Sequence, residues 1–245
     1  MSLEADLLQR RRTIQKQMDE RGMEACLFTI PLNLYYLCGY VFNGYYYLPV
    51  EGEPHLFVKR PVDLLERNVH FIRKPEQLPD LFRENGWKLP ERLLLEEDEL
   101  TYSETIRLQH IFELQGTGNI TPWIRRMRML KSAWEIQQMQ ETAEKQSFVY
   151  GQIPECYRPG MTDLELQYEI EYRMRRKGSI GFFRTFGSHM EIFMGSVLAG
   201  ENAEVPSPFD FALGGGGIHP SSPLGANGTL LKKGISVMID MAGNY

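Results

Sequence analysis

The chain has 245 residues, 42% of them hydrophobic and 24% charged, and a formal net charge of −5. That length holds one large domain or two modest ones, and the composition is that of an ordinary soluble globular protein. The acidic balance speaks against a nucleic-acid partner, and no basic run is long enough to suggest one; Arg10-Arg11-Arg12 shares its segment with Glu4, Asp6 and Asp19.

No stretch approaches the roughly 20 apolar residues of a membrane helix. The start, MSLEADLLQRRR, has no apolar run behind its basic residues and does not read as a secretory leader. Cys26, Cys38 and Cys156 are odd in number and form no CxxC pattern, so they read as buried thiols of a reducing compartment. A cytoplasmic protein without a membrane partner is the expectation.

Taken in order, Leu3 to Arg21 predicts an amphipathic helix with Leu7, Leu8, Ile14 and Met18 on its apolar side and Gly22 closing it. Ala25 to Ile30 is a short buried strand ended by Pro31, and Leu32 to Tyr40 is a turn leading into another short element. Tyr45 to Pro49 and His55 to Lys59 form a hairpin around Glu51-Gly52-Glu53-Pro54. Arg92 to Glu96 is a further buried strand, and Ser103 to Phe112 a helix with Ser103 as its N-cap. Helices alternating with short apolar strands indicate an α/β domain over residues 1–122.

A second region, residues 123–245, opens on Trp123 to Arg128. Ser132 with Glu135 marks a capping box before a long helix whose apolar stripe is Ile136, Met139, Ala143, Phe148 and Val149. Arg158-Pro159-Gly160-Met161 is a turn. Thr162 with Glu165 then opens a helix carrying Leu164, Leu166, Tyr168, Ile170 and Met174, and Gly178 ends it. Short strands are expected around Phe183 and Val197, with a loop rich in Gly and Pro from Gly200 to Gly228. There is no internal repeat.

In the last stretch, Ile235, Val237 and Ile239 alternate with Ser236, Met238 and Asp240, which predicts a strand. It brings one carboxylate, Asp240, into an otherwise apolar segment. A metal ion or a cationic partner would make such a burial tolerable. The plainer alternative is an acid at a strand end, capping a turn or paired with a lysine. Gly243-Asn244-Tyr245 reads as a turn. The glycine run Gly214 to Gly217 lacks a following Lys-Ser or Lys-Thr, so it reads as a loop over a cleft rather than a phosphate cradle. Tyr45-Tyr46-Tyr47 reads as an ordinary half-buried strand rather than a substrate wall or a dimer contact. Ser221 and Ser222 lack a GxSxG elbow, which argues against a serine hydrolase. His55, His70 and His110 are assigned no chemistry.

Arg126-Met127-Arg128-Met129-Leu130-Lys131-Ser132 with Glu135-Ile136 resembles the opening of the catalytic domain of the pita-bread metallopeptidases: Xaa-Pro aminopeptidases, prolidases and creatinases. Arg158-Pro159-Gly160-Met161-Thr162-Asp163 with Glu165 resembles that family's next block, and Gly234 through Asp240 its first metal-ligand strand. Asn33 through Tyr40 is similar to the N-terminal domain that precedes the catalytic one. The succession implies a creatinase/prolidase-type N-terminal α/β domain followed by a pita-bread α+β catalytic domain that is incomplete in these residues.

The resemblance further implies hydrolysis of a peptide bond next to proline by two divalent metal ions (manganese, cobalt or zinc), in a homodimer. Two cations sharing a hydroxide lower its pKa and hold the developing oxyanion. Of the family's ligands, two Asp, a His and two Glu, only Asp240 falls in this sequence. These residues alone are therefore expected to bind no ion tightly and to be inactive. The family also carries a His that contacts substrate or oxyanion. Ala199 to Pro206 matches its block, but Ser207 stands where that His is expected, and His219 is the candidate replacement. His189 is more simply a loop histidine than a cleft residue. The rival readings are a non-catalytic peptide- or protein-binding module and a metal-free creatinase-like C–N hydrolase.

Overall fold

The computed structural model describes residues 2–64, 66–182, 194–208 and 214–245. The chain divides into two compact units, Met1–Glu135 and Ile136–Tyr245. The division falls later than the expected 122/123 boundary, because Ile124 is fully buried in the core of the first unit.

In the first unit six strands form one sheet in the order β4-β3-β2-β1-β5-β6. They are β1 (Ala25–Phe28), β2 (Asn43–Pro49), β3 (His55–Arg60), β4 (Val69–Phe71), β5 (Arg92–Leu95) and β6 (Gly116–Asn119). β1–β2 and β2–β3 run antiparallel; β3–β4, β1–β5 and β5–β6 run parallel. The period of two along the strands sorts side chains between two faces. Cys26, Phe28, Tyr46, Leu48 and Leu94 meet α1 (Leu3–Asp19), α2 (Pro31–Cys38) and α5 (Thr121–Met129) on one face. Ala25, Leu27, Tyr45, Tyr47, Phe57 and Leu93 meet α3 (Leu78–Glu84) and α4 (Tyr102–Phe112) on the other. Each large side chain so buried contributes about 1.5–3 kcal/mol. The tyrosine run is thus core on both faces.

Several sequence expectations move. Pro31 does not only end a strand; it sits at the first position of α2, where a missing N–H costs nothing, and Gly39 closes that helix in the left-handed conformation. The cap of α4 is Thr101 rather than Ser103, in a capping box with Glu104. β4, α3 and β6 were not foreseen: they are three, seven and four residues long and too short for a periodic signal.

The buried face of α1 is Asp6, Arg10, Ile14 and Met18, so two charged residues lie where the sequence suggested solvent. They are tolerated because each is paired. Arg10 bonds Asp6 and the Tyr36 carbonyl (2.7 Å), lies 3.9 Å over the Tyr36 ring and is 3.3 Å from Glu135. Ser132 donates to Asp6 at 3.0 Å while capping Glu135 N–H, as its capping box predicted. Removing one partner of such a set strands the others without solvation.

Glu96, directly after β5, is fully buried. It accepts from Thr29 N–H (2.7 Å), Ile30 N–H (2.9 Å) and Asn33 Nδ2 (2.6 Å), which fixes the chain between β1 and α2. Burial pushes its carboxyl above the usual range, against the pull of those three donors. His55 and His70 lie beside Trp87 at the rim of the second face, and burial lowers both imidazoles. All three cysteines are free thiols; Cys26 and Cys156 are buried as expected, Cys38 only partly. Burial raises each, Cys38 to about 11. No described helix is long and apolar enough to cross a membrane.

Two outcomes are expected at Glu96. Glu96→Ala leaves three donors without an acceptor and should cost about 3 kcal/mol in denaturant unfolding. A carboxyl raised on folding stabilises the fold below its unfolded value and loses that contribution as pH rises through its folded value. Relative to Glu96→Gln, wild-type stability should therefore fall as pH rises above about 4.5; parallel curves would contradict this.

Candidate functional site

The second unit contains α6 from Ile136 onward (the helix is Ala133–Gly151), α7 (Ile153–Cys156), α8 (Asp163–Arg176), β7 (Gly195–Ala199) and β8 (Val237–Met241). β7 and β8 pair antiparallel, with Ser196 opposite Asp240 and Gly195 opposite Met241. Gly195 has φ +112°, and a Cβ there would collide with the Asp240 carbonyl, so only glycine lets the strands approach. α8 begins at the expected Thr162/Glu165 capping box and buries Leu166, Ile170 and Met174. These meet Val149, Met161, Val197, Leu231 and Met241 in one core. Of the expected α6 stripe only Val149 is buried; Ile136, Met139 and Phe148 are exposed.

The polar centre of this unit is Asp163, fully buried at the start of α8. Its carboxylate accepts from Leu164 N–H (2.8 Å), Gly228 N–H (2.9 Å) and Asn202 Nδ2 (3.4 Å). A carboxylate is favoured at a helix N-terminus, and here it also draws in a distant loop. Buried Asn202 reaches onward, donating to the Gly225 carbonyl (3.1 Å) and accepting from Gly216 N–H (2.8 Å). One acid and one amide thereby fold the glycine-rich loop back on itself. Gly215 has φ +93° and no room for a Cβ against the Gly225 carbonyl. The sequence supplied Thr162-Asp163 and Asn202 as parts of motifs but gave no sign that they meet.

His219 is exposed on this loop. Its Nδ1 accepts from Ser221 N–H at 3.1 Å and lies 2.7 Å from Ser221 Oγ. An accepting Nδ1 leaves the neutral ring with its proton on Nε2, the form that donates to a carbonyl or oxyanion. Asp240 lies on the expected strand, yet it too is exposed, with Val237 and Met238. The premise that its segment buries an uncompensated charge is therefore corrected: the carboxylate stays hydrated and needs no cation to be tolerated. Among the described residues no group of three or more His, Cys, Asp or Glu is placed to hold a metal, and the structure joins His219 and Asp240 in no such group. Ser207 is half-buried. His189 and the strand expected around Phe183 lie outside the described residues.

The segment after β8 is tied to α6. Tyr150 Oη donates to the Met241 carbonyl (2.7 Å), Gln146 Nε2 donates to the same oxygen (2.8 Å), and Gln146 Oε1 accepts from Gly243 N–H (2.9 Å). Asn244 and Ile180 then meet through Asn244 C=O and Ile180 N–H at 2.8 Å. On the first unit an open cleft of about 1200 Å³ is lined by Phe42, Tyr45, Lys59, Arg60, Val62 and Arg107 among others. Lys59 Nζ lies 4.8 Å from the Tyr45 ring and 3.3 Å from its hydroxyl. Of the residues that line it, sequence weighed only Tyr45, as part of the tyrosine run, for contact with substrate.

Residues 10–130 match the Creatinase/Prolidase N-terminal domain family. The first unit carries that match, and the chain as a whole shares the fold of solved X-Pro aminopeptidase and prolidase structures. It is 25% identical over 202 residues to an uncharacterized peptidase of Staphylococcus haemolyticus, covering 79% of this chain and 54% of that protein. The X-Pro aminopeptidase of Thermotoga maritima superposes with a TM-score of 0.70 at 19% identity, covering 96% of this chain and 61% of that one. The prolidase of Pyrococcus horikoshii gives 0.72 at 18% identity, with 97% and 61% covered. The likeness to these two structures is one of fold, and the mixed α/β architecture is that expected from sequence. The chain spans about half the length of the curated relative and three fifths of each structure.

Removing the loop anchor should be read in stability. Asp163→Ala deprives Leu164 N–H and Gly228 N–H of their side-chain acceptor, removes one of the two acceptors of Asn202 Nδ2, and is expected to cost about 3 kcal/mol. Asn202→Ala is expected to act on the same loop and to add little on top of it. A double-mutant cycle checks both, and full additivity would separate the two residues.

Proposed function

We propose that the protein is a metal-dependent peptidase that hydrolyses the bond next to proline, as an Xaa-Pro aminopeptidase or dipeptidase, acting at its relatives' length. The observation that supports this most is the likeness in fold, over 96–97% of the chain, to an X-Pro aminopeptidase and a prolidase. Asp240, hydrated on β8, is proposed as a ligand for one of two divalent ions, manganese, cobalt or zinc. Oxygen donors suit such ions, which when bound supply an activated water. A single carboxylate does not hold an ion tightly, and the described residues bring no set of three around it. These 245 residues alone are therefore proposed to be inactive.

His219 is proposed to donate from Nε2 to the substrate carbonyl, with Ser221 holding the tautomer. The N-terminal domain, residues 1–122 as the sequence divides the chain, is proposed to be a support rather than a reaction centre. A cytoplasmic location and a homodimer complete the proposal; the exposed Ile136, Met139, Phe148, Tyr168 and Tyr172 support self-association.

The test compares these 245 residues with a chain of the relatives' full length on an Xaa-Pro dipeptide and an Xaa-Pro-Yaa tripeptide, with and without manganese. The longer chain should release product only with metal, and Asp240→Ala should lower kcat/KM by about 100-fold or more. His219→Ala should lower kcat with little change in melting temperature. Absence of hydrolysis in the longer chain would instead favour a non-catalytic binding module, and full activity after chelation would remove the metal from the proposal.

A further inference from the structure

We propose that His55 and His70 form a two-imidazole clamp for a borderline divalent transition ion, of the Zn²⁺ or Cu²⁺ class, across the β3–β4 edge of the first unit. β3 and β4 run parallel with Phe57 opposite His70, so His55 and His70 lie diagonally on one face of the sheet. His55 Nδ1 and His70 Nε2 are 3.3 Å apart. That is longer than the 2.7–3.2 Å range typical of N–H···O hydrogen bonds and makes a poor N–H···N bond. It is the separation of two nitrogens on one tetrahedral ion with bonds of about 2.0–2.1 Å, which works out to about 3.3–3.4 Å.

The rings are held in place without an ion. Trp87 packs on His55 with centroids 4.0 Å apart and on His70 at 5.1 Å. Phe57 flanks both, at 6.4 and 5.6 Å. Both imidazoles are half-buried, so each has one side in the aromatic packing and one side open to solvent. A preorganised pair gives up little side-chain freedom on binding. Imidazole nitrogen favours Zn²⁺ and Cu²⁺ over the hard ions Mg²⁺ and Ca²⁺. No third His, Cys, Asp or Glu joins the pair among the described residues, so the ion would keep water on its remaining positions. Its effect would be to tie β4, three residues long and at the sheet edge, to β3. The clamp uses residues of the first unit only and does not rest on the peptidase reading.

The test titrates metal-stripped chain with Zn²⁺ by calorimetry and with Cu²⁺ by tryptophan emission. One ion per chain is expected at this site, with Cu²⁺ quenching an emission component that Trp87→Phe removes. His55→Ala and His70→Ala should each weaken binding by tenfold or more. His110→Ala and Cys38→Ser should leave it unchanged. Asp240→Asn should also leave it unchanged, which separates this site from the proposed peptidase metal. Where an alanine variant loses its circular-dichroism signal, His70→Asn replaces it. Failure of the wild type to bind, wild-type affinity in the His55 and His70 variants, or loss of binding only in Asp240→Asn would each overturn the clamp.

Discussion

A buried carboxylate that collects backbone amides is the interaction on which each unit depends. In the first unit Glu96 takes the N–H groups of Thr29 and Ile30 and the Asn33 amide. In the second, Asp163 takes the N–H groups of Leu164 and Gly228 and the Asn202 amide. Both acids are fully buried, and both stand where a helix begins: α2 for Glu96 and α8 for Asp163. A carboxyl group in such a place is tolerable because its lone pairs are all but filled and a helix N-terminus faces it. The return is geometric. Loops that would otherwise leave buried amides unpaired acquire a fixed acceptor, and the chain can turn sharply at the ends of its sheets.

These anchors explain how glycine-rich sequence becomes defined structure. The loop from Gly214 to Gly228 has little apolar mass of its own to bury. It is shaped by Asn202 bonding Gly216 and Gly225, and by Asp163 bonding Gly228. Its exposed tip carries His219, whose tautomer is set by Ser221. A rigid base with a polar, exposed tip is the usual arrangement for a loop that meets a ligand. The opposite economy governs β7–β8, where Gly195 admits the close strand approach and Tyr150 and Gln146 close the hydrogen bonds beyond it.

Much of the fold was legible in the chain. The hairpin of β2 and β3, the capping boxes at Ser132 and Thr162, and the strand bearing Asp240 all follow from period and cap chemistry. The family resemblance lay in ordered blocks. What was not legible depends on tertiary pairing. The sequence pointed to Leu7, Leu8, Ile14 and Met18 as the stripe of α1, whereas Asp6 and Arg10 join Ile14 and Met18 on the buried face, and nothing local says that Arg10 will find Tyr36 and Glu135. β4 and β6 are too short to declare themselves and exist because neighbouring strands offer an edge. At the candidate site the strand was foreseen but the solvent around Asp240 was not: alternation marks two faces without saying which of them a neighbour will cover. The Asp163–Asn202 pair and the His55–His70 pair join residues distant in sequence or assigned no chemistry, and no motif links them.

The most direct measurement of the anchor account is native-state amide hydrogen exchange at Thr29, Ile30 and Gly228. If the two buried carboxylates hold their loops, these loop amides will be protected to nearly the same degree as the strand amides of β1 and β7. Exchange at the rate of exposed turns such as Gly52 would show that neither Glu96 nor Asp163 does what is claimed for it.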